Sequence, residues 1–87
     1  MASAQSEMPG LSELEVSVLL AIHRNARRRA PSVSTGIINV ELNEDPISAL
    51  TSLRDKGYVG QGTAEPDMWI LSPQGKVAAK ELERRRQ

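Results

Sequence analysis

The chain has 87 residues, with eleven Lys or Arg, eleven Asp or Glu, one His, no Cys and a formal net charge of zero. That length supports one small domain with a modest core and leaves no room for a deep catalytic cleft. The absence of cysteine removes disulfides, thiolate nucleophiles and cysteine zinc sites, and no apolar run approaches a membrane span.

There is no Phe, and Tyr58 and Trp69 are the only aromatic residues. The core therefore has to be built from Leu, Ile, Val and Ala, which favours a helical fold. Met1 to Gly10 is small, polar and closed by Pro9-Gly10, so it reads as a disordered tail ahead of a domain over residues 11–87. It lacks the basic-then-apolar order of a secretory signal, and a cytoplasmic location is expected.

Helix 1 starts at Ser12. Ser12-Glu13-Leu14-Glu15 is a capping box, with Leu11 and Val16 placed for a hydrophobic staple. Leu11, Leu14, Val18, Ala21 and Ile22 share one stripe at helical spacing and form the expected core face. Val16 and Leu20 fall nearly opposite, with Leu19 on a flank. A helix apolar on two sides is either sandwiched within the fold or part of a subunit interface, so Val16, Leu19 and Leu20 are the candidate interface of a homodimer. Arg24 to Ala30 carries the helix to its end, with cations where the macrodipole favours them.

Helix 2 starts near Ser32 or Ser34, either a suitable N-cap, and runs through Ile37, Ile38 and Leu42 to a turn at Asn43. Helix 3 has Asp45 as N-cap, Pro46 at its first position and Gly57 as left-handed C-cap. Its ladder predicts Ile47, Leu50 and Leu53 inward, with Ser48, Thr51, Ser52 and Asp55 outward. Tyr58 to Gly60 and Met68 to Leu71 are expected to pair as a hairpin around the loop 61–67. Ser72 and Pro73 open a last helix whose apolar stripe is Val77, Ala78 and Leu82.

The order α-α-α-β-β-α, with a helix-turn-helix spacing and a hairpin, makes the expected fold class mainly α with a small β-hairpin: a winged helix-turn-helix. An apolar ladder, Gly-apolar-Val, and a strand ending in Leu-Ser-Pro-x-Gly are supplied by Ile47, Leu50, Leu53, Gly57, Tyr58, Val59, Leu71, Ser72, Pro73 and Gly75. Over about residues 11–83 the chain thus resembles the winged-helix transcription regulators of the MarR and PadR type. The resemblance implies that helix 3 enters the major groove of double-stranded DNA and that the wing touches the neighbouring backbone. Family wings usually carry cations, whereas this loop has Glu65 and Asp67 and none. Pro66-Asp67-Met68-Trp69 more faintly resembles the wing of Z-DNA-binding Zα domains. Ile47 and Thr51 stand where that family offers an Asn and a Tyr to the backbone, so Trp69 is read as a core anchor whose indole N–H finds a surface partner.

Charge is unevenly spread. Residues 1–40 hold four basic and three acidic groups, residues 41–67 two and six, and residues 68–87 five and two. The acidity sits in the reading helix and wing, although Lys and Arg supply most non-specific DNA affinity.

The candidate DNA-contacting residues are Arg27, Arg28 and Arg29 for phosphates, and Ser34, Thr35, Asn43, Ser48, Thr51, Ser52 and Arg54 on helices 2 and 3. The hydroxyls of Ser48, Thr51 and Ser52 lack the bidentate pairings that discriminate bases strongly. His23, the lone histidine, makes no zinc site of ordinary type. Glu44, Asp45, Glu65 and Asp67 read as cap and loop carboxylates, so no metal or cofactor is expected. No nucleophile triad or phosphate loop is present, and an enzyme is not expected. The second reading is a protein-interaction module that docks its acidic helix 3 and wing on a basic partner, such as transcription machinery.

Overall fold

A computed structural model describes residues 10–28 and 30–85 of the chain. The expected disordered tail, apart from Gly10, and Arg29 lie outside the described residues. The elements are α1 (Glu13–Arg28), β1 (Ser32–Ser34), α2 (Thr35–Leu42), α3 (Ile47–Asp55), β2 (Val59–Gln61), β3 (Met68–Leu71) and α4 (Pro73–Arg85). The described residues are mainly helical, with one three-stranded antiparallel sheet in the order β1-β3-β2. No helix among them is long and apolar enough to cross a membrane.

The expected hairpin is present as β2 and β3, and β1, which was not expected, extends it to three strands. Ser32, Val33 and Ser34 pair with Ile70, Trp69 and Met68 of β3, and Val59, Gly60 and Gln61 pair with Leu71, Ile70 and Trp69 from the other side. Three residues are too few to show an alternating pattern, so β1 exists because β3 offers it a free edge. Ser34 is the N-cap of α2, its hydroxyl accepting from the Ile37 N–H at 3.2 Å, while Ser32 belongs to the strand.

α1 lies at the centre of the fold and packs against α2, α3, α4, β1 and β3. Its start is the expected capping box: the Ser12 hydroxyl accepts from the Glu15 N–H at 3.1 Å, and Glu15 Oε1 accepts from the Ser12 N–H at 2.7 Å. The second apolar side of this helix is a correction to the interface expectation. Val16, Leu19 and Leu20 are 1%, 0% and 6% exposed within the single chain, so they are core rather than a free surface. The cause is α4. By helical spacing Val16 and Leu20 share a face with His23 and Arg27, both of which bond Glu83 of α4.

In α3 the inward arc is Pro46, Ala49, Leu50 and Leu53. Ile47, expected inside, is 47% exposed, because Pro46 occupies the inner position and the next residue is turned away from it. The helix begins one residue later than expected, with Pro46 as N-cap, yet Asp45 Oδ1 still accepts from the Ile47 N–H at 3.0 Å. Gly57 sits at φ 87°. Its N–H donates to the Arg54 carbonyl at 3.1 Å and that of Tyr58 to the Leu53 carbonyl at 2.9 Å, the two bonds of a Schellman motif.

The Ser-Pro-x-Gly segment combines a local cap with contacts to the end of α3. Ser72 Oγ accepts from the Gly75 N–H at 3.0 Å and donates to the Gly57 carbonyl at 2.6 Å. A Cβ at Gly75 would stand 1.9 Å from the Tyr58 carbonyl oxygen, so only glycine lets α4 begin here against the end of α3.

Candidate functional site

The solvent side of α3 is the arc Ile47, Ser48, Thr51, Arg54 and Asp55, with Thr51 half-buried. Helical spacing makes these one face, opposite the arc that meets the core. It begins beside the exposed turn Asn43, Glu44 and Asp45, where Asn43 is the left-handed C-cap of α2 at φ 55°.

A short chain of hydrogen bonds holds the loop 62–67 against this face. Arg54 donates to Gln61 Oε1 at 2.7 Å, and the Gln61 amide donates to the Pro66 carbonyl at 2.7 Å. On the far side the Asp67 carbonyl accepts from the Thr35 N–H at 2.9 Å and from its hydroxyl at 3.2 Å. Across its base the Gly62 N–H donates to the Met68 carbonyl at 2.9 Å. The loop therefore spans from α3 to the first residue of α2 through named polar contacts. Gln61 and Asp67 were absent from the sequence-derived candidates, since their roles depend on backbone carbonyls whose positions no local pattern reveals.

Several expected DNA-contacting residues have other partners. Thr35 is half-buried, and its oxygen also accepts from Trp69 Nε1 at 2.8 Å, which makes Thr35 the partner of the buried indole. Ser52, expected on the outer face, is half-buried on the side of Glu15 of α1, because it lies about 140° around the helix from Ile47. Arg27 divides its contacts between the two oxygens of Glu83, each at 3.2 Å. Arg24 and Asn25 bind Glu41 of α2. Ser34 is spent on its cap. Ser48, Asn43 and Arg28 remain exposed, and Arg54 is exposed while bonded to Gln61.

Two carboxylates are shifted, both for structural reasons. Burial pushes Glu15 up, but hydrogen bonds from Ser52, Ser12 and Lys56, and the Lys56 charge, outweigh it and hold the group below its ordinary value. Burial likewise opposes ionisation of Glu41, and Arg24, Asn25 and the nearby charge of Arg28 reverse the balance. Among the described residues, no group of three or more His, Asp or Glu is arranged to hold a metal ion.

The charge around α3 follows from these pairings. Glu44, Asp45, Glu65 and Asp67 are exposed at the turn and loop, while Arg54 has Asp55 at 3.6 Å. Lys56 is held by Glu15 at 3.0 Å. Comparison with known protein families, with curated proteins and with solved structures gives no match.

Proposed function

We propose that the chain is a winged-helix DNA-binding module of a transcription regulator, with α3 as the reading helix and the loop 62–67 as the wing. The observation that carries this reading is the clamped arrangement of the loop. Arg54, Gln61 and Thr35 hold it beside the solvent arc of α3 and the start of α2, so that three surfaces able to meet a duplex are fixed relative to one another. The order α1-β1-α2-α3-β2-β3-α4 with strands β1-β3-β2 is compatible with it.

On this reading Ser48 and Thr51 face the major groove. Arg28, which shares a hollow with Ser34 and Gly36 at the start of α2, meets a phosphate. The internal pairing of Arg24, Arg27 and Lys56 leaves few cations for DNA. With about two or three phosphates neutralised, affinity should fall roughly ten- to fortyfold between 50 and 200 mM salt. Fluorescence anisotropy of a random duplex over that range is the test. Arg28→Ala should flatten the slope by about 0.9, and Ser48→Ala should leave the slope alone while altering sequence preference.

The second reading, docking on a basic protein surface, is favoured by the exposed carboxylates Glu44, Asp45, Glu65 and Asp67 and by exposed Ile47 beside them. It replaces the first if duplex binding is absent at 50 mM salt.

A further inference from the structure

A hollow of about 340 Å³ lies between the C-terminal half of α1, β3 and α4, lined by no residue of α2 or α3. Its floor is aliphatic: Ala26, Pro31, Ile70 and Leu71. Its rim carries the cations Arg27, Lys76 and Lys80, and His23 completes the lining. Ile70 is 41% exposed, although it stands on the central strand of the sheet.

No carboxylate lines the hollow. Glu83, bonded to Arg27 and His23, is engaged at the edge of it. Lys76 and Lys80 are one turn apart on the same face of α4, where like charges repel, and neither side chain makes an ion pair or hydrogen bond among the described residues. An anion placed between them would relieve that repulsion, and an apolar body attached to it would cover Ile70. The volume is at the small end of ligand pockets, and the one aromatic ring in its lining, the His23 imidazole, is engaged by Glu83.

We propose that this hollow binds a small aliphatic carboxylate, its head group between Lys76 and Lys80 and its chain over Ile70, Leu71 and Ala26. The site is independent of the DNA reading, since its lining shares nothing with α3 or the loop.

The test is titration of the full chain with octanoate, below its micelle concentration and without DNA, followed by backbone amide shifts. Saturable shifts confined to Ala26, Ile70, Leu71, Lys76, Lys80 and their neighbours are expected. Butanoate, hexanoate and octanoate should bind progressively more tightly, by about fourfold for each buried methylene. The Lys76→Gln, Lys80→Gln double variant should weaken octanoate at least fivefold. Ile70→Ser, on the open side of the strand, should do the same with the fold intact by circular dichroism. Shifts that do not saturate, shifts centred on α2 or α3, affinity independent of chain length, or an unaffected lysine variant would each overturn the proposal. A negative result leaves duplex binding untouched, because that experiment is separate.

Discussion

Glu15 serves two structures at once. It closes the capping box of α1 and receives Lys56 from beyond the end of α3, at 3.0 Å, with its own side chain 7% exposed. Because its folded value is depressed, the stability it contributes is fully present above the ordinary value of 4.5 and is lost as pH falls through the folded value. Glu15→Gln should therefore cost about 1–2 kcal/mol at pH 7. The gap from wild type should close on acidification below about pH 4. Urea unfolding at a series of pH values checks this, and a gap constant with pH would show that the charge is irrelevant. Gly75 is the other residue with no substitute. Gly75→Ala drives a methyl into the Tyr58 carbonyl and should cost about 3 kcal/mol or more, measurable as a fall in denaturation midpoint. The capping box was legible because its partners are three residues apart. Lys56 was not, because it reaches Glu15 only through the tertiary fold.

At the scale of elements, α1 is the helix on which the others depend. Its two apolar sides were visible as periodicity, and the choice between a sandwiched helix and a subunit interface was left open by that periodicity. The fold places α4 over the Val16 and Leu20 side, tied by Glu83 to His23 and Arg27. Leu20→Glu should then bury an unpaired carboxylate and remove core contacts, at a cost comparable with a total stability on the order of 5–10 kcal/mol. Sedimentation with circular dichroism should show an unfolded chain rather than a folded monomer released from a dimer. α3 followed its capping signals closely, yet Ile47 lies outside and Ser52 is half-buried. A residue-type ladder does not reveal that Pro46 supplies the first inward contact. β1 left no periodic signal, and pairing with β3 created it.

For the molecule as a whole, zero net charge conceals an uneven surface. The turn before α3 and the loop 62–67 are acidic, and Lys76 and Lys80 stand at the hollow over Ile70, whose lining includes no residue of either. Segment counts along the chain already showed this division. They could not show that Arg24, Arg27 and Lys56 are each matched by a glutamate of another element or of the α1 start. That internal matching is why the proposed DNA binding carries so shallow a salt dependence.

Local signals therefore determined the elements: Ser12 with Glu15, Asp45 with Ile47, Gly57 with Arg54, and the Ser72 cap of Gly75 act within a few residues of themselves. Their hydrogen bonds depend on backbone that is close in sequence, so the chain specifies them without its core. The covering of Val16 and Leu20, the pairing of β1, the orientation of Ile47 and Ser52 and the disposition of the arginines were decided by tertiary packing. The pairings of β1 and of Arg24 and Arg27 depend on partners more than sixteen residues away, and the orientation of the others on which of two faces the rest of the chain covers.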